Sequence, residues 1–148
     1  MEITFSAEPV ASLGQFNLTN TFLTSIISSV VLVVFSIFIS KNLRLIPNTL
    51  QNLVELAIDS LHKINLELSG KKTSIIFPWF ATFFLFILVS NWMGLLPGFG
   101  SVGFYHVEHG KTIFTPLLRP ANTDLNMTLA LAVISLMVTH TMSIHVLG

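Results

Sequence analysis

The sequence contains no cysteine. That excludes disulfide staples, thiol nucleophiles and thiolate metal sites, and it carries no information about compartment. Charge is almost as scarce. Asp, Glu, Lys and Arg make up 9% of the 148 residues, where a soluble domain carries about 25%. Seven basic and seven acidic residues cancel, so there is no basic stripe for nucleic acid and no acidic tail. Residues 1–20 lack the basic start, apolar middle and small-residue cleavage site of a secretory signal, so no cleavable signal peptide is read. Internal repeats, long low-complexity segments, a Gly-rich phosphate loop, a nucleophile elbow and a carboxylate pair are likewise missing. What is abundant is apolar: 52% of the residues are hydrophobic. So few polar side chains cannot coat a water-soluble surface, but they suffice where lipid is the solvent.

The apolar residues are not spread evenly. Residues 21–40 form an uncharged stretch that includes Phe22, Leu23, Ile26, Ile27 and the run from Val30 to Ile39. At about 1.5 Å per helical residue, such a stretch crosses a hydrocarbon core of about 30 Å. Ser25, Ser28, Ser29 and Ser36 can bond back to their own helix and mark faces that pack on another helix. A second uncharged stretch lies in residues 75–96, with Pro78 expected in its first turn and Leu96-Pro97-Gly98 as its stop. Trp79 and Trp92 stand towards its two ends, as interfacial aromatics do. Residues 124–147 are a third apolar stretch, with its polar residues gathered at the two ends. The reading is an all-α membrane protein with three transmembrane helices, at residues 21–40, 75–96 and 124–147.

Residues 48–69 differ in kind. Pro47-Asn48 is a start signal and Ser69-Gly70 a stop. Leu50, Leu53, Val54, Ala57, Ile58, Leu61, Ile64 and Leu68 recur at helical spacing on one face. The other face carries Gln51, Asn52, Glu55, Asp59, His62, Lys63 and Glu67. Each such charge would cost about 2.5–3.5 kcal/mol at mid-bilayer. The segment is therefore predicted to be an amphipathic helix on the membrane surface or against partner proteins, and at its simplest a tether between two spans. Five of the seven Lys and Arg residues fall between Lys41 and Lys72, which places that segment in the cytoplasm. Residues 1–20 and the loop 98–121 are then external, and the last helix returns inward.

Several polar residues are candidates for chemistry. Asn91 is an amide inside an apolar helix and must find a partner, either another helix or a polar step on a water or ion path. Asp124 opens the last span, where an N-cap is the simplest reading. Asn122 and Asn126 are four apart, as are Asp124 and Thr128, so each pair is expected on a common helix side. Together they make a polar mouth on an apolar helix, able to admit water and protons. His140 and His145 lack the spacing of a helical zinc pair and are read as marking the inner interface; His106 and His109 are read as solvated. Asn17-Leu18-Thr19 and Asn126-Met127-Thr128 fit the glycosylation pattern, which is short enough to arise often by chance. No cofactor and no metal site is expected.

Two stretches carry a resemblance. Phe77-Pro78, followed by Phe83-Phe84-Leu85-Phe86-Ile87-Leu88-Val89-Ser90-Asn91-Trp92-Met93-Gly94-Leu95-Leu96-Pro97-Gly98, is similar to the third helix of subunit a of rotary F-type ATP synthases. Arg119-Pro120-Ala121-Asn122-Thr123-Asp124-Leu125-Asn126-Met127-Thr128-Leu129-Ala130-Leu131-Ala132 resembles that subunit's next motif, and Asn52-Leu53-Val54-Glu55 also fits. The resemblance extends from Thr21 to the end and looks most like a bacterial version. It implies a multi-pass protein of the bacterial plasma (inner) membrane, with the mitochondrial inner membrane as the second choice.

The resemblance implies a function as well. In that family subunit a is a stator beside a ring of c subunits, and two offset half-channels lead protons to and from a carboxylate on each c subunit. By resemblance, Asn91 matches an asparagine of the outer-side half-channel, and Asn122, Asp124 and Asn126 match the polar start of the helix that lines it. The implied partners are the c-subunit ring, the peripheral-stalk b subunit, other synthase subunits and the lipid bilayer, with no nucleic acid. The chain itself would make and break no covalent bond. The family's final pair of tilted helices, one bearing an essential arginine, has no counterpart here, since Arg44 and Arg119 both lie outside the apolar helices. The chain is accordingly expected to be an N-terminal portion of the subunit. The alternative is a non-conducting structural membrane fragment. An unrelated small channel with its mouth at Asp124 and Asn126, or an intramembrane enzyme, fits less well, since no catalytic dyad stands at membrane depth.

Overall fold

A computed structural model describes residues 9–13, 16–108 and 111–147, with side chains for residues 18–105 and 114–144. Its main elements are four helices: α1 (Asn20–Lys41), α2 (Thr49–Ser69), α3 (Thr73–Met93) and α4 (Leu125–Leu147). Among the described residues, three helical stretches are long and apolar enough to cross a membrane. They are α1, the α3 part of the helical run 49–93, and α4. The protein is a mostly helical, multi-pass membrane protein.

Burial supports the same conclusion. The buried apolar residues are Leu61, Ala81 and Ala121, among the described residues. The buried polar ones are far more numerous and include Asn20, Thr21, Thr24, Ser28, Ser90 and Asp124. Meanwhile Val33, Phe38, Leu129 and Met137 are each more than half exposed. A water-soluble protein with this distribution would be inside out. In lipid it is the stable arrangement, because hydrocarbon solvates the apolar side chains and every polar group must find a partner inside.

The chain divides into two compact units. One comprises residues 1–28 and 88–148, the other residues 29–87. In the second unit, Asn48 caps α2: its Oδ1 accepts the Gln51 N–H at 2.8 Å. Gln51 lies on the polar face with Glu55, as expected, but is buried. Its side chain spans the preceding turn, accepting from the Arg44 N–H and donating to the Arg44 carbonyl, each at 3.1 Å, and donating to Glu55 at 2.7 Å. On the apolar face Leu61 is buried, while Leu50, Leu53, Ile64 and Leu68 are exposed.

Helix α2 ends at Gly70, whose φ of 53° and ψ of −126° suit glycine alone, and the Gly70 N–H closes on the Leu66 carbonyl. A 3-10 turn, Gly70–Lys72, leads directly into α3. Because α3 begins at Thr73, Pro78 falls in the second turn rather than the first and removes the bond to the Ser74 carbonyl. On the solvated side of α2, Lys63 Nζ lies 2.8 Å from Asp59. The hydrogen bond from Lys63, and then its charge, hold Asp59 below the usual carboxylate range, and Asp59 raises Lys63 by the same two causes.

The first unit contains two antiparallel hairpins that the helical reading did not anticipate. β1 (Pro9–Leu13) pairs with β2 (Phe16–Thr19), directly before α1. β3 (Gly103–Glu108) pairs with β4 (Lys111–Pro116) inside the stretch read as a loop, in register from Gly103 opposite Pro116 to Glu108 opposite Lys111. Pairing satisfies backbone groups that an unstructured loop would leave to water. Tyr105 and Phe114 face each other across this hairpin with ring centroids 5.1 Å apart.

Candidate functional site

The candidate site is built at the start of α1. Asn20, Thr21, Thr24, Ser25 and Ser28 follow one another at helical spacing and are all buried. Each finds a partner suited to a helix in lipid. The Thr24 hydroxyl donates to the Asn20 carbonyl at 3.0 Å, and the Ser25 hydroxyl to the Phe22 carbonyl at 2.7 Å. Ser28 reaches across to the Met93 sulfur at 3.1 Å, near the end of α3. Asn20 Nδ2 donates to the Pro116 carbonyl at 3.1 Å, tying the start of α1 to the end of β4.

Asp124 joins this stripe. It has the extended backbone of an N-cap, and its Oδ1 accepts the Asn126 N–H at 3.1 Å, so it caps α4. Its second oxygen, Oδ2, accepts the Thr21 hydroxyl at 3.2 Å. The Thr21 Oγ1 in turn lies 3.3 Å from the Thr19 Oγ1 at the end of β2. Thr21 is 2% exposed and Asp124 6%, while Thr19 is partly exposed.

Asn91 stands near the end of α3, and its Oδ1 accepts from Asn122 Nδ2 at 3.2 Å. Its partner is therefore not another helix but the 3-10 turn Ala121–Thr123 that precedes α4. That placement corrects the helical pairing expected for Asn122 and Asn126, since α4 begins only at Leu125. Asp124 and Thr128 do meet, through the Asp124 carbonyl: the Thr128 N–H lies 3.1 Å from it and the Thr128 hydroxyl 3.2 Å. Asn126 is exposed and contributes its backbone N–H. Gly94 allows the Asn91–Asn122 contact. A Cβ at Gly94 would overlap the Pro120 ring and meet the Asn91 carbonyl at 3.3 Å. Next to Asn91, the Ser90 hydroxyl is fully buried and has no hydrogen-bond partner among the described residues.

The sequence singles out Asn91, Asn122, Asp124 and Asn126 as candidates and gives no role to Asn20, Thr21 or Thr24. The available signal was a polar stripe at 20, 24 and 28, flanked by 21 and 25, on a helix otherwise made of Phe, Leu, Ile and Val. His140 Nδ1 lies 2.9 Å from the Leu136 carbonyl and is exposed. The side chains of His106 and His145 are not among those described, and His109 lies outside the described residues, as do residues 1–8 of the expected external segment. No group of three or more potential metal ligands occurs among the described residues.

The arrangement is that of a multi-pass membrane protein with a buried carboxylate and hydroxyl cluster at the meeting of three helix ends. The chain belongs to the family described as ATP synthase A chain, whose sequence profile matches residues 22–148. It is similar to the ATP synthase subunit a of Trichlorobacter lovleyi, 31% identical over 115 residues, which cover 78% of this chain and 42% of that protein. The subunit a of Syntrophobacter fumaroxidans is 28% identical over 141 residues, covering 95% of this chain and 51% of the relative. That of Gloeobacter violaceus is 31% identical over 135 residues, covering 90% and 49%. The chain thus spans about two fifths to half the length of these relatives.

Proposed function

We propose that this chain is a membrane-sector stator subunit of a rotary ATP synthase, and that its polar cluster lines the outer-side half-channel through which protons reach the c-subunit ring. The observation that carries this reading is the buried Asp124 carboxylate, hydrogen-bonded to Thr21 on a stripe of buried polar side chains in an otherwise apolar molecule. Proton transfer needs groups and waters within hydrogen-bond reach of one another. The Asn91–Asn122 pair and the buried Ser90 hydroxyl supply further sites where a water can be held. The relatives' names, ATP synthase subunit a, support the subunit assignment.

On this reading the chain moves protons and performs no covalent chemistry. It works beside the c ring and the peripheral-stalk b subunit in a bacterial plasma (inner) membrane. The apolar face of α2, with Leu50, Leu53, Ile64 and Leu68 exposed, and its charged opposite face suit a helix lying along the cytoplasmic surface, where it can meet the stalk. The test is access from outside. Cysteine replacing Asn91 or Asp124, in the assembled complex, is expected to react with a membrane-impermeant maleimide added on the outer side. Absence of labelling at both positions overturns the half-channel.

A further inference from the structure

We propose that Thr19 and Thr21 form a two-hydroxyl proton relay to Asp124, so that the beginning of the first helix is a working part of the path. The inference rests on the half-channel reading above and adds a route to it. Three oxygens stand in a row: Thr19 Oγ1, Thr21 Oγ1 at 3.3 Å, and Asp124 Oδ2 a further 3.2 Å away. Thr19 at the outer end is partly exposed, whereas Thr21 at 2% and Asp124 at 6% are both buried. The carboxylate therefore has little direct access to water, and the threonines bridge the gap.

The row also has a direction. An ionised carboxylate only accepts, so the single Thr21 proton goes to Asp124. Thr21 Oγ1 is then left as an acceptor, and the Thr19 hydroxyl must donate to it. Thr19 Oγ1 itself accepts the Phe22 N–H at 3.3 Å, which holds the outer end in place. A proton arriving from water on Thr19 Oγ1 displaces the Thr19 proton onto Thr21 Oγ1, and the Thr21 proton passes to Asp124 Oδ2. Each hydroxyl ends with one proton and Asp124 becomes neutral; once Asp124 has passed its proton on, rotation of the two hydroxyls restores the starting order. Asp124 keeps its position throughout, because Oδ1 remains bound to the Asn126 N–H.

The experiment is ATP-driven proton pumping in membrane vesicles that contain the chain in its assembled complex, comparing Thr21→Val, Thr21→Ser, Thr19→Val and Asp124→Asn at equal subunit content. Valine keeps the shape of threonine and removes the hydroxyl; serine keeps the hydroxyl. Loss of one relay group is expected to lower the pumping rate by about fivefold or more in Thr21→Val and Thr19→Val, with Thr21→Ser close to the parent. A role for Thr21 in packing alone would instead spare the shape-matched valine, and a role only in holding Asp124 through its own hydroxyl would spare Thr19→Val. If Asp124→Asn lowers pumping while both valine variants pump normally, the relay is wrong and the half-channel stands. If Asp124→Asn pumps at the parent rate, the path through Asp124 and the relay to it both fall. Should Thr21→Val not assemble, Thr19→Val decides alone, since its hydroxyl is the outer member of the same row.

Discussion

Asp124 serves two purposes with its two oxygens. Oδ1 closes the first turn of α4, and Oδ2 meets Thr21 from the first helix. The capping reading and the functional reading of this residue therefore do not compete; the cap aims the carboxylate that the hydroxyl reaches. Gly94 shows the same dependence on a single position. It has an ordinary backbone, and its absent side chain lets the segment around Pro120 close over the end of α3. A methyl group at Gly94 must push that segment away, and with it Asn122 from Asn91. Gly94→Ala is expected to destabilise the chain by about 1–3 kcal/mol, as overpacked contacts do. A lowered unfolding midpoint in detergent checks this, and an unchanged midpoint would show that the segment yields freely. The motif Asn91-Trp92-Met93-Gly94 is plain in the sequence, but the partner that makes the glycine necessary is not. Pro120 lies far along the chain, and only folding brings it near.

At the scale of elements, the helices are written locally and the hairpins are not. Asn48 with its Gln51 N–H partner, and Gly70 with its positive φ, bracket α2 by rules that act within a few residues. The conformation of Gly70 lies in a region open almost only to glycine, so Gly70→Ala is expected to cost about 1–3 kcal/mol and to fray the last turn of α2. Backbone amide exchange at Leu66 to Ser69 measures it; protection as strong as in the parent would contradict the assignment. β3 and β4 carry the apolar and aromatic residues Phe104, Tyr105, Ile113 and Phe114. In so apolar a sequence this gives little contrast with its surroundings, and the pairing that defines the hairpin is a relation between strands rather than a property of either. The burial of Gln51 was not legible for a related reason. Its polarity put it with Glu55 and Asp59, but the segment preceding the helix folds back over it and supplies backbone partners at Arg44.

At the scale of the whole molecule, the decisive fact is the reversal of inside and outside. Large apolar side chains are exposed along α1 and α4, and most of the buried residues among those described are polar. α2 is the element whose charges do not fit a lipid environment, and the proposal that it lies on the membrane surface makes a measurable claim. A spin label or fluorophore at Asp59 is expected to respond to shallow lipid-borne quenchers and not to those at the bilayer centre. Quenching from the centre would remove α2 from the surface. The paired Lys63 supports a hydrated position, since both side chains are well exposed.

Taken alone, the sequence determined that this is a membrane protein with three apolar spans and one charged amphipathic helix. Span length and the cost of charge in hydrocarbon act on composition, and composition is fully written in the chain. It also determined the family, through runs of residues that need no folding to be read. The tertiary structure alone decided that Thr21 meets Asp124, that Asn122 meets Asn91, and that Gly94 lies under Pro120. Each of these pairs joins residues remote in sequence, and a hydrogen bond or a close approach is set by three-dimensional distance, for which residue type and spacing along the chain are no substitute.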